Sequence, residues 1–170
     1  LDEKYPIRRG AVISAVDLIR GIGVYAGLEV IQVEGATGLY DTNYEGKAQA
    51  ALDALKQHDF VFLHIEASDE AGHEGDAELK VKTIEYLDSR IVKPIFKEIS
   101  TWSEPVTIAV LPDHPTPCST RAHSRDAVPF LVYYKGIEPD EVTSYDEFAA
   151  RRGAFGLLHG DEFMKQLIKH

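Results

Sequence analysis

Short runs of β-branched and aliphatic residues alternate with helical stretches, and that alternation restricts the chain to one class of fold. GAVIS (10–14), LEVIQV (28–33), DFVFLHIE (59–66), VTIAVL (106–111) and FLVYY (130–134) read as strands. AVDLIRGIGVYAGL places Val16, Ile19, Ile22 and Val24 near helical spacing, and Gly27 is positioned to stop that helix. A second helix is expected over roughly 44–57, with Asp41 and Asn43 as N-cap candidates. The longest is expected from Ala77 to about Ile99, where Val81, Ile84, Leu87, Ile91 and Ile95 share a face and Pro94 bends or divides it. ASDEAGHEGD (67–76) and YDEFAARRG read as polar loops, and a last helix is expected around 160–169. Strands joined through helices of ten or more residues pair in parallel by right-handed crossovers. The expected fold is therefore α/β, a mostly parallel sheet with helices on both faces, in a single domain over residues 1–170.

Charge and cysteine content narrow the function. A formal net charge of −10 argues against nucleic acid or an anionic membrane surface as the partner. An acidic chain that handles phosphates needs local cations, and bound metal supplies them. Cys118 is the one cysteine, so no intrachain disulfide is available, and with no apolar run of membrane-span length the expected compartment is the cytoplasm.

In open α/β sheets the functional crevice lies beyond the carboxyl ends of the strands. Here the 59–66 strand is followed by Asp69 and His73, and the 106–111 strand by Asp113 and His114, with His123 further along the same connection. On parallel strands these side chains share one sheet edge. Carboxylate with imidazole suits Zn²⁺, Mn²⁺ or Fe²⁺ better than Ca²⁺, which prefers oxygen alone. Five ligands exceed what one catalytic zinc takes, but divided between two ions they resemble part of a two-metal clamp for phosphoryl transfer. The residues alone leave one ion and two ions both open. Gly72 and Gly75 bracket His73 and let the backbone fold tightly, and Pro112, Pro115 and Pro117 stiffen the second loop.

Singly, these residues have ordinary readings: Asp69 as a cap, Asp113 as the start of an Asx-turn, a loop histidine as solvent-exposed. The occurrence of Asp with His in both loops is what favours metal. Ser14 reads as an N-cap, and His64 with Glu66 as a hydrogen-bonded, partly buried pair on one strand face. His159 and His170 are expected to face solvent, Cys118 has no second thiol nearby, and Arg8 and Arg9 form a basic pair before the first strand. GIG and GATG make no phosphate-loop fingerprint.

SDEAGHEGD, LPDHPTP and RAHSRDAVPFLVY, in this order and spacing, resemble the archaeal-type cofactor-independent phosphoglycerate mutases of the alkaline phosphatase superfamily. AVISAVDLIRGIGVYAGLEV and GATGLYDTNYEGKAQAALDAL resemble the segments that precede those motifs, so the likeness covers nearly the whole chain and weakens over the last thirty residues. The resemblance implies one metal held by Asp69, His73 and His123. It implies a second held by Asp113 and His114 with an Asp and the nucleophilic Ser, neither of which has a match here. Arg9 is the nearest basic residue to the family's phosphate-contacting Lys.

The resemblance further implies interconversion of 3-phosphoglycerate and 2-phosphoglycerate through a phosphoserine, with two divalent ions (Mn²⁺ or Zn²⁺) and no 2,3-bisphosphoglycerate. On this reading the chain is the carboxyl-terminal part of the core domain of a longer enzyme, without its nucleophile segment and inserted substrate domain. Three alternatives stand beside it. The chain could serve another phosphomutase of the superfamily, a phosphohydrolase, or act alone as a metal-binding fragment without activity. Self-association is expected if a hydrophobic sheet edge is exposed.

Overall fold

The computed structural model describes residues 1 and 3–169, which divide into two compact units. One comprises Leu1–Thr101 with Thr116–Ala122, the other Trp102–Pro115 with His123–His170. His170 itself lies outside the described residues.

The first unit is built on β1 (Gly10–Ile13), β2 (Glu29–Val30) and β3 (Phe60–Leu63), all parallel, in the order β2-β1-β3. The central strand is buried at every position, as a strand covered on both faces requires. Helix α1 (Asp17–Tyr25) connects β1 to β2, and α2 (Tyr44–Leu55) connects β2 to β3. Asn43 caps α2 as expected, its side chain accepting from the Gly46 N–H at 2.8 Å while its amide donates to the Glu34 carbonyl. Helix α1 has Val16 at its N-cap and no side-chain cap. Ser14 instead accepts from the Val16 N–H in a tight turn, which replaces the expected helix cap.

Helix α1 lies close enough to β1 that a methyl group cannot be added at Gly23. A Cβ there would stand 2.5 Å from Val12 Cγ1. Gly23→Ala should therefore destabilise the fold by about 1–3 kcal/mol despite its better helix propensity. Denaturant unfolding followed by far-UV circular dichroism measures this, and Gly21→Ala, where a Cβ meets nothing, serves as the control.

After β3 the expected loop is a helix, α3 (Ala67–Glu74), ended by Gly75 at φ 75°. Acidic residues in its first turn and a left-handed glycine after its end supply the local stabilisation. The long helix expected over 77–99 is α4 (Ala77–Tyr86) and α5 (Lys93–Ile99), joined by a π-helical segment, Leu87–Val92. Pro94 at the start of α5 has no N–H to give, and the wider register of the preceding turn absorbs that loss. The core here is Tyr44, Ala48, Ala67 and Ile91, flanked by Leu63, Ile65 and Tyr86.

The second unit holds β4 (Thr107–Val110) and β5 (Leu131–Tyr134). They pair antiparallel in a sheet of their own, with Thr107 opposite Tyr134 and Val110 opposite Leu131. Parallel pairing thus holds for β1, β2 and β3 and is corrected for β4 and β5. The proline-rich connection between the last two strands forms no crossover helix, so nothing forces the chain back in the same direction. Two short helices follow: α6 (Glu147–Ala150), capped by Asp146 where a loop was expected, and α7 (Glu162–Leu167). Phe130 packs against the rings of Phe155 and Phe163, and the Tyr134 hydroxyl donates to the Gln166 carbonyl at 2.5 Å. The Tyr145 hydroxyl lies 3.3 Å from the Val110 carbonyl and 3.1 Å from that of Pro129, and burial pushes its pKa up to about 12. No helix among the described residues is long and apolar enough to cross a membrane.

Candidate metal centre

Residues four apart on a helix lie on one face, and α3 uses that spacing to bring two donors together. Asp69 Oδ2 and His73 Nε2 are 3.3 Å apart. Each side chain is held by its other end. Asp69 Oδ1 accepts the hydroxyl of Thr116, and His73 Nδ1 stands 3.0 Å from the Arg121 carbonyl oxygen. A carbonyl can only accept, so Nδ1 carries a proton, and Nε2, on the side of Asp69, is the nitrogen left to ligate an ion. Arg121 reaches this position with φ at 52°, a left-handed conformation that only a well-braced non-glycine residue adopts. The orientation of a carbonyl toward a ligand histidine is a recurrent feature of metal sites.

The surroundings are acidic. Glu66, Asp69 and Glu70 each offer a carboxylate oxygen, all within 4.8 Å of one another. Lys47, with 1% of its surface exposed, donates to the Thr37 carbonyl at 3.1 Å. Burial holds its pKa below the usual lysine value, against the opposing attraction of Glu66. This cation offsets part of the local negative charge without removing the site's bias toward metal.

In the second unit, Asp113 Oδ2 and His114 Nε2 are also 3.3 Å apart, and the His114 backbone N–H donates to Asp113 Oδ1. The His114 ring stacks on that of His123 at 3.6 Å between centroids. The structure thus pairs Asp69 with His73 in one unit and gathers Asp113, His114 and His123 in the other. The two loops leave strands of two separate sheets, so the single shared sheet edge of the sequence argument is corrected.

Arg9 precedes β1, and its carbonyl accepts from Asp59, which precedes β3. It therefore stands at the amino-terminal edge of the parallel sheet, about a four-residue strand's length (~13 Å) from the edge that leads to α3. Arg9 is not brought together with Asp69 and His73. Ser14 and His64 do meet at the carboxyl edge, Ser14 Oγ lying 3.2 Å from His64 Nδ1. Ser14 is thus a cross-strand partner of His64, and Glu66, expected on the same strand, stands instead at the N-cap of α3. His159 is exposed, as expected, and Cys118 is half-buried.

Sequence reasoning missed Thr116, the Arg121 carbonyl and Lys47. A hydroxyl between Pro115 and Pro117 is a weak local signal. A main-chain carbonyl gives none.

The sequence profile described as Metalloenzyme superfamily matches residues 3–170. A 2,3-bisphosphoglycerate-independent phosphoglycerate mutase of Methanosarcina barkeri is 55% identical over 163 residues, 95% of this chain and 41% of the relative. A probable enzyme of the same description from Geobacter sulfurreducens is 50% identical over 160 residues, 94% of this chain and 40% of the relative. Among solved structures, the PH0037 protein from Pyrococcus horikoshii superposes with a TM-score of 0.91 at 35% identity, covering 98% of this chain and 49% of that one. The cofactor-independent phosphoglycerate mutase of Thermoplasma acidophilum gives 0.61 at 25% identity, covering 89% and 34%. The chain therefore spans about two fifths of the length of the curated relatives it matches.

Proposed function

Because the chain belongs to the Metalloenzyme superfamily, we propose that it is the metal-binding portion of a phosphoglycerate mutase, which interconverts 3-phosphoglycerate and 2-phosphoglycerate through a phosphoserine. Asp69, His73 and His123 hold one divalent ion, Mn²⁺ or Zn²⁺. Asp113 and His114 contribute to a second, which an Asp and the nucleophilic Ser complete; neither has a match among these residues. No 2,3-bisphosphoglycerate is used.

One observation carries this reading: Asp69 and His73 present a carboxylate oxygen and an imidazole nitrogen side by side, each fixed from behind by Thr116 or by the Arg121 carbonyl. Oxygen with nitrogen suits a transition ion and disfavours Ca²⁺. Ions bound by these ligands supply the positive charge that stabilises a transferring phosphoryl group. Such charge is otherwise scarce on a chain of net charge −10. The protein's own part is to fix the donors. It uses one helical turn to space them and hydrogen bonds from Thr116 and to the Arg121 carbonyl to aim them.

The test joins metal to turnover. The metal-stripped chain is titrated with Mn²⁺ by calorimetry, then mixed with 3-phosphoglycerate and followed by ³¹P NMR, alone and with the unmatched part of the Methanosarcina barkeri relative. Saturable binding, with 2-phosphoglycerate formed only in the mixture, is the expected result. Inorganic phosphate in its place would assign a phosphohydrolase, and absence of saturable binding would remove the metal reading.

A further inference from the structure

We infer that Thr116 is a positioning residue for the metal centre, acting through Asp69; the inference rests on the metal reading above. Thr116 has 3% of its surface exposed, and its hydroxyl donates to Asp69 Oδ1. The direction of that bond is forced, because an ionised carboxylate only accepts. With Oδ1 occupied, Oδ2 is the oxygen beside His73 Nε2, so Thr116 selects which oxygen meets an ion and in which rotamer.

Thr116 is itself held on three sides. Its carbonyl accepts from Lys80 Nζ at 2.6 Å, reaching across from α4. Pro115 and Pro117 restrict the backbone before and after it. Gly72 of α3 lets the segment approach, since a Cβ at that position would stand 2.5 Å from the Thr116 carbonyl oxygen. Lys80, Thr116 and Asp69 form a chain of contacts that runs from the face of α4 to one ligand oxygen. All of these links are made between protein groups, so together they restrict the rotamer of the carboxylate. Preorganisation of this kind strengthens binding because less freedom is lost on ligation.

A buried threonine could also serve packing alone, and three variants separate the two roles. Thr116→Val keeps the shape and deletes the hydroxyl. Thr116→Ser keeps the hydroxyl and deletes a methyl group. In calorimetric titration of the 170-residue chain with Mn²⁺, Thr116→Val should weaken binding by about 10- to 100-fold, and Thr116→Ser should retain wild-type affinity. A packing role would instead appear as lowered thermal stability of the metal-free Thr116→Ser chain with Mn²⁺ affinity equal in all three proteins.

Wild-type affinity in a folded Thr116→Val would overturn the inference and leave the metal reading intact. Failure of the wild type to bind Mn²⁺ would remove both. If Thr116→Val does not fold, Lys80→Met probes the same chain of contacts from its other end, a half-buried side chain. It should weaken Mn²⁺ binding by a smaller factor, and unchanged affinity there would also overturn the inference.

Discussion

His73→Ala should abolish the first Mn²⁺ site, weakening it by more than about 100-fold, or ~2.7 kcal/mol, without lowering the thermal stability of the metal-free chain. His73 is only half-buried and lies on the last turn of α3, beside Asp69 and the Arg121 carbonyl. Removing it deletes a donor and opens no cavity of consequence. Asp69→Asn should act through charge instead. The amide oxygen still accepts from Thr116, and the amide NH₂ then occupies the position facing His73, where it has no lone pair for an ion.

Two further variants test the division of ligands. The resemblance assigns His123 to the same ion as Asp69 and His73, while the structure stacks His123 on His114 at 3.6 Å. If the assignment holds, His123→Ala weakens the first site as His73→Ala does, and His114→Ala leaves it unchanged. Equal loss in His114→Ala and His123→Ala, with no effect of His73→Ala, would put the ion on the Asp113–His114–His123 set instead. Calorimetry on the four single variants distinguishes these outcomes directly.

Much of the first unit was legible from residue pattern. GAVI is uniformly apolar and is the central, fully buried strand, and Asn43 before an Ala- and Leu-rich face caps α2. What the sequence concealed has physical causes. Helix α3 has no apolar period to reveal it, because its eight residues present ligands and acids outward and small residues inward. The pairing of β4 with β5 depends on whether a twenty-residue connection forms a helix, and prolines decide that against expectation. The candidate donors Asp69, His73, Asp113, His114 and His123 could be named because Asp and His recur together after strands. The groups that hold Asp69 and His73 could not. Thr116 lies 47 residues from Asp69 and Arg121 lies 48 from His73, and no local spacing encodes such contacts.

The second large effect concerns stability, at a position that offers no ligand. Tyr44→Ala should destabilise the protein by about 3–5 kcal/mol, the range for deleting a fully buried aromatic side chain. Tyr44 is 0% exposed and belongs to the core cluster with Ala48, Ala67 and Ile91. Its ring meets Tyr86 edge-on at 5.7 Å, and the Arg90 guanidinium lies over it at 4.5 Å. Arg90 is in turn bound by both oxygens of Glu45, at 2.5 and 2.7 Å, so one side chain of the π-helical segment grips α2 through charge and ring together. Emptying this place removes the platform on which Arg90 lies. Tyr44→Phe isolates the hydroxyl, which donates to the Tyr40 carbonyl at 3.1 Å; that change should cost only about 1 kcal/mol near neutral pH. The hydroxyl also sets a pH dependence. Burial raises the Tyr44 pKa above its ordinary value of 10.0, with Arg90 opposing the shift. Above pH 10 the unfolded chain releases this proton first, so the folded state loses stability as pH rises from 10 through the raised folded value. Urea unfolding of wild type and Tyr44→Phe at pH 8 and at pH 10.5 should therefore show the gap between them narrowing at the higher pH. A gap that stays constant or widens would mean that the attraction of Arg90 matches or outweighs the effect of burial.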